Sequence, residues 1–214
     1  MQESAEAGCD MTGHDGHLGA VYDAKAPDEV AAAYDAWAEG YDAEMAKAGY
    51  RHPTIGLALL ARHLPRGAAP ILDAGVGTGL AGAWYGILGW PEVWGVDISE
   101  GMLGVAARKG TYARLSRAVL GGPLAFADGQ FAAVISTGVF TTGHVGAEAL
   151  PELIRITAPG GVIVLTVKGT LWDGGFEAAL MAQPVELLEL TAPYVSMPGD
   201  AATTPSRAVA LRLR

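Results

Sequence analysis

ILDAGVGTGLAG, residues 71–82, joins a short apolar run to a cluster of glycines and then to a helix-like segment. A strand feeding a glycine turn and a helix is the opening unit of an open α/β sheet. Two frames fit the glycines. In the first, Gly77, Gly79 and Gly82 satisfy the dinucleotide spacing G-x-G-x-x-G with an acid downstream, which keeps an NAD(P)-dependent oxidoreductase open. That frame extends the strand to Val76 and buries Asp73 among apolar neighbours with no duty, at a cost of several kcal/mol. In the second, Asp73, Gly75, Gly77 and Gly79 form one unit and the strand ends at Asp73. The carboxylate then sits at the carboxyl edge of the sheet, where it can accept from an ammonium or an ordered water. Glycine lets the backbone approach a ligand with no Cβ in the way. A ligand with an amine and no pyrophosphate fits this frame better.

Outward from this stretch, apolar runs recur at 93–99, 113–120, 131–137 and 161–167. Helix-like segments fall at 79–88, 99–109 and 146–157, which predicts a parallel sheet covered on both faces. Two further strands are read at 185–191 and 207–214, after a helix near 174–182, and they end the fold like a hairpin. Upstream, Asp28 is a plausible N-cap for a helix interrupted at Gly40, and a second helix follows Pro53. Residues 1–27 show no sustained periodicity and read as a flexible leader before a single domain at 28–214. The leader's HDGH, His14 to His17, could pair on a metal, but no further ligands cluster nearby and an exposed turn is the better reading.

The 214 residues suit one α/β domain with a sizeable core. The balance of 14 basic against 23 acidic residues makes nucleic acid an unfavoured partner, and neutral or cationic small molecules suit it better. Cys9 is the only cysteine, so an internal disulfide and a thiolate-built metal site are both excluded, which fits a reducing cytoplasm. No apolar run approaches the ~20 residues that span a bilayer. A monomer or homodimer is expected.

Asp97 ends the second apolar run, about 20 residues past the glycine turn, where a carboxylate can take both hydroxyls of a ribose. Its alternative duty, capping the next helix, falls more naturally to Ser99. LDAGVGTG, then VDIS with Met102 shortly after, then LPELIRITAPGG ahead of a strand, resemble the class I S-adenosylmethionine-dependent methyltransferases. YDAWAEGYD, GVFTTGHVG and TAPYV are similar to stretches of the Williams-Beuren-region methyltransferase-like proteins and their bacterial relatives.

The resemblance implies a three-layer, doubly wound, seven-stranded Rossmann-like sheet with the last strand inserted antiparallel. It implies S-adenosyl-L-methionine as cofactor and a small-molecule acceptor. It places Asp73 toward the methionine amine, Gly75 and Gly77 along the cofactor, and Asp97 on the ribose. Ile98 and Met102 flank adenine, and Thr137 and Gly138 approach the methionine. Tyr34, Trp37 and Tyr41 would close over the cofactor, although their spacing equally describes a core-facing stripe. Two departures stand out. Leu120 and Gly121 occupy the place of an acid that contacts the adenine amine in many relatives, leaving Leu120 and backbone groups to hold the base. Ala132 replaces the Asp that usually follows Phe131.

Methyl transfer is an in-line displacement that chiefly needs alignment and exclusion of water. A hydroxyl acceptor benefits from a base with a pKa near 7, and His144 follows the fourth strand near the expected methyl position. His144 equally reads as a helix-entry residue, and His52 and His63 read as surface residues. A non-catalytic cofactor-binding module on the same fold remains a further alternative.

Overall fold

The computed structural model describes residues 16–141 and 144–214. Three helices come first: α1 (Gly16–Asp23), α2 (Pro27–Ala48) and α3 (His52–His63). There follow β1 (Ile71–Ala74), α4 (Gly82–Leu88), β2 (Val93–Asp97), α5 (Glu100–Lys109), β3 (Arg114–Arg117) and β4 (Phe131–Phe140). A 3₁₀ turn at Ala147–Ala149 leads into α6 (Leu150–Ile156), β5 (Thr157–Lys168) and α7 (Gly169–Leu171). A π-turn (Trp172–Phe176), α8 (Glu177–Met181), β6 (Val185–Leu190) and β7 (Ser206–Leu213) complete the chain.

The strands form one seven-stranded sheet in the order β3-β2-β1-β4-β5-β7-β6. All pairs are parallel except those made by β7, which runs antiparallel to both β5 and β6. This is the three-layer, doubly wound sheet with an inserted antiparallel last strand. Because strand side chains alternate, consecutive residues feed opposite cores. Leu72 packs with Leu150, Leu153 and Phe176 on one face, and Ile71 packs with Leu59, Leu60 and Tyr85 on the other. β1 is buried throughout, as befits a central parallel strand. β3, at the edge, is largely exposed and stops at Arg117, well short of the apolar run that suggested it.

Several local readings change. The helix read as starting at an Asp28 cap begins instead at Pro27, whose fixed φ suits the first helical position. Glu29 reaches back to accept from the Ala26 and Lys25 amides, at 3.2 and 2.8 Å. Gly40 does not interrupt this helix, which runs on to a left-handed cap at Gly49. Part of the stretch read as a flexible leader is the packed helix α1. Its Val21 is buried with Trp37, Met45 and Met197 in a third apolar cluster. His14 lies outside the described residues, while His17 stacks on Trp37 with ring centroids 5.8 Å apart. Among the described residues no group of acidic, His or Cys side chains could hold a metal, and no helix is long and apolar enough to cross a membrane.

Candidate functional site

The carboxyl ends of β1, β2 and β4 open on a cleft of about 170 Å³, the usual place for a ligand in an open α/β sheet. β1 brings Gly75 and Gly77, β2 brings Asp97 and Ile98, and α5 brings Met102. The loop after β3 supplies Leu120, β4 supplies Thr137 and Gly138, and α2 supplies Tyr34 and Tyr41. His144 lies at the same mouth. Thus every residue to which the sequence assigned a cofactor contact or the catalytic base reaches this cleft except Asp73 and Trp37.

The glycines make the floor thin. Gly77 has φ +55°, and a Cβ built there would meet nothing within 4 Å, so the cleft itself occupies that space. A Cβ on Gly75 would come 2.2 Å from Val139 Cγ2, and one on Gly138 would come 1.8 Å from the Tyr50 hydroxyl. Both glycines also have positive φ, so the close approach and the backbone conformation demand the same residue.

Asp97 is held rigidly. Its Oδ2 accepts from the Gly77 amide at 2.8 Å and its Oδ1 from the Ser99 amide at 3.0 Å. Each oxygen keeps a further acceptor position for a ligand hydroxyl. Burial raises its pKa, opposed by these amides. The cap of α5 is indeed Ser99, whose hydroxyl accepts from the Met102 amide at 3.0 Å.

Asp73 has protein partners that the sequence did not announce. It is the next-to-last residue of β1, which runs one residue further than expected, to Ala74, and its Oδ2 accepts from the hydroxyls of Tyr85 and Tyr112, both at 2.8 Å. Burial pushes its pKa up to about 6 against the lowering by these two bonds. It lines a minor cavity shared with Gly75, Gly77 and Thr137, beside the main cleft. The tyrosines satisfy the buried oxygen that the sequence left without a protein partner.

The aromatic stripe on α2 divides. Tyr34 and Tyr41 face the cleft, while Trp37, 1% exposed, turns under α1 into a second chamber of about 50 Å³. Tyr34, Tyr41, Tyr50, Gly138 and His144 border both spaces and so form the partition between them. His144 Nε2 lies 2.8 Å from the Val21 carbonyl oxygen, and its ring stacks on Tyr22 at 5.5 Å.

His52, read as a surface residue, is buried at the chamber wall, with Nδ1 2.7 Å from the Tyr194 hydroxyl. Burial, and then the Lys168 charge, bring its pKa down to about 3, so it is neutral. His63 is partly exposed and pairs with Glu189 at 2.9 Å. Tyr22, Tyr50 and Lys168 also reach the chamber and were not singled out. Tyr50 directly follows the cap of α2 and Lys168 ends β5, positions that carry a site only once the sheet is assembled.

Beyond β3 the chain that presents Leu120 is anchored by Arg155, which donates to the Phe126 and Leu124 carbonyls and to Asp128 and Glu152. Leu120 and Val119 thus form an apolar wall where no acid stands.

Residues 72–165 match the family model described as a methyltransferase domain. Methyltransferase-like protein 27 of Homo sapiens is 40% identical over 152 residues, covering 70% of this chain and 62% of that protein. Demethylmenaquinone methyltransferase of Renibacterium salmoninarum is 34% identical over 149 residues, covering 66% of this chain and 59% of that protein. The chain therefore spans about three fifths of the length of these curated relatives. Among solved structures, a TehB-like SAM-dependent methyltransferase from Corynebacterium glutamicum superposes with TM-score 0.62 at 23% identity, over 86% of this chain and 98% of that one. The [4+2]-cyclase SpnF superposes with TM-score 0.67 at 15% identity, over 89% of this chain and 97% of that one, so the fold alone does not set the reaction. The matched domain, the 40% identical relative and the sheet order all point to the class I S-adenosylmethionine-dependent methyltransferases, with residues 72–165 as the matched methyltransferase domain.

Proposed function

We propose that this chain transfers the methyl group of S-adenosyl-L-methionine to an oxygen or nitrogen nucleophile of a small-molecule acceptor, with residues 28–214 as the transferase domain. The observation that carries the reading is the pair of spaces sharing one wall. A ligand laid along the glycine floor ends at Gly138 and His144, where a second molecule can meet it from the chamber.

The cleft fits the cofactor. Asp97, already fixed by two amides, retains acceptor positions for two ribose hydroxyls. Ile98, Met102 and Leu120 give apolar contact for a flat base, and Gly77 leaves open the volume a side chain would fill. When bound, the cofactor would supply an electrophilic methyl group on a positively charged sulfur.

The chain's part is placement, exclusion of water and proton management. The electron-rich faces of Tyr34 and Tyr41 suit a cation at the partition. Their phenols stay protonated, since burial raises both pKa values. His144 is assigned the proton. A carbonyl oxygen can only accept, so Nε2 carries the hydrogen shared with Val21 and Nδ1 of the neutral ring holds the basic lone pair. Asp73 acts indirectly, by bracing the glycine loop from below.

Incubating the protein with methyl-labelled cofactor and a broad metabolite panel tests the reading. A labelled product that requires the protein is expected. S-adenosylhomocysteine binding with no acceptor labelled would instead favour a non-catalytic cofactor-binding module.

A further inference from the structure

The chamber beside the cleft has a charge character opposite to that of the whole chain. Lys168, the last residue of β5, lines it with Nζ 5.7 Å from the Tyr22 ring centroid. None of the chamber's described lining residues is an Asp or Glu. Among the described residues no carboxylate pairs with Lys168, although six other basic side chains have such partners. Lys168 is therefore a cation held at the wall of the chamber with an aromatic face for company.

Two further polar atoms are left over there. The Trp37 indole N–H is fully buried and has no hydrogen-bond partner among the described residues, and the same holds for the Thr141 hydroxyl. Both residues line the chamber. A buried donor without a partner costs roughly 1–3 kcal/mol, so an arriving acceptor atom is favoured. His52 is neutral and engaged with Tyr194, and it offers no negative charge. A cationic amine would enter against Lys168 with nothing to balance its charge. A carboxylate accepts from both an ammonium and an indole N–H, and charge-assisted bonds of this kind are the stronger ones.

Size sets the orientation. About 50 Å³ accommodates a group of a few atoms rather than a whole metabolite, given ~30 Å³ for a water. A carboxylate seated near Lys168 leaves the rest of its molecule directed past Tyr34 and Tyr41 toward the cleft.

We propose that the methyl acceptor is a small organic acid whose carboxylate is anchored in this chamber by Lys168 and the Trp37 indole N–H, with its nucleophile presented at the His144 end. The assignment rests on the methyltransferase reading and adds the substrate class to it. Lys168 is a specificity-determining residue, remote from the methyl group.

The full chain is first titrated calorimetrically with S-adenosylhomocysteine. At saturation it is then titrated with acetate, benzoate and phenylacetate, and with phenylacetamide and phenethylamine as neutral and cationic counterparts. At least one of the acids should bind tenfold or more tightly than the amide and the amine. Lys168→Met should weaken that acid at least tenfold, Lys168→Arg should restore most of the binding, and both should keep S-adenosylhomocysteine affinity within about twofold. Equal binding of acid and amide, preference for the amine, no acid bound, or undiminished acid binding by Lys168→Met would overturn the assignment and leave the cofactor reading standing. Absence of S-adenosylhomocysteine binding in the first titration would bring both down.

Discussion

The Nε2 atom of His144 lies 2.8 Å from the main-chain oxygen of Val21, so a helix outside the sheet decides where the proton sits on a side chain at the mouth of the cleft. With Nε2–H committed, Nδ1 is the atom that can take a proton from an acceptor. For a hydroxyl acceptor, His144→Ala should lower kcat by about 10²–10³-fold. It should leave S-adenosylhomocysteine affinity within a few-fold. Near-normal turnover by this variant would remove His144 from the chemistry.

Asp97 gives a binding prediction. Its replacement by Ala removes acceptor positions for two ribose hydroxyls and also releases the Gly77 amide. With ~1.5–3 kcal/mol for a hydrogen bond to a charged group, cofactor affinity should fall by roughly 10²-fold or more. Titration of Asp97→Ala with S-adenosylhomocysteine checks this, and an unchanged Kd would place the ribose elsewhere.

Gly138 has φ +76°, and the Cβ of an alanine would lie 1.8 Å from the Tyr50 hydroxyl oxygen. Gly138→Ala should destabilise the fold by roughly 2–5 kcal/mol, from backbone strain together with overpacking. Removing that oxygen with Tyr50→Phe leaves Cζ as the nearest tyrosine atom, at 3.2 Å. The double variant should therefore recover part of the loss, and the backbone contribution should remain. Urea unfolding of the four proteins measures the coupling, and strict additivity would contradict the contact.

Asp73 makes stability pH-dependent. Its pKa of about 6 in the folded protein lies above the ~3.9 of a free carboxyl, so the native state holds this proton more tightly than the unfolded chain does. The contribution is fully present below about pH 4 and is lost as pH rises through about 6, with an upper size of ~3 kcal/mol. Asp97 shifts in the same direction, so the comparison is made against Asp73→Asn, which keeps an acceptor for both tyrosines. The stability of Asp73→Asn relative to the parent should rise between pH 4 and 7. A difference that stays flat with pH would show that Asp73 titrates normally.

Much of this site is local in origin and so was readable from the chain. The change from an apolar run to glycines after Asp73 ends β1 and floors the cleft. Ser99, two residues past Asp97, frees that carboxylate from capping α5, as the cap bond to Met102 shows. What escaped the sequence depends on distant partners. His52, at the start of the helix beside Pro53, reads as a surface residue, yet it packs against Tyr194, 142 positions away. The periodicity of Tyr34, Trp37 and Tyr41 put the three on one face of α2. Trp37 is withdrawn from the cleft because α1 covers it, and the sequence around α1 carries no apolar period to announce a packed helix. Net charge is silent on such a position: a total of -9 averages over the surface and says nothing of one lysine at the end of β5.

Whether the cleft takes S-adenosyl-L-methionine is decided by calorimetric titration of the protein with S-adenosylhomocysteine and, separately, with NADH. Saturable one-to-one binding of S-adenosylhomocysteine with no heat from NADH is the predicted result. Binding of NADH with none of S-adenosylhomocysteine would contradict the account and return the glycine loop to the dinucleotide frame.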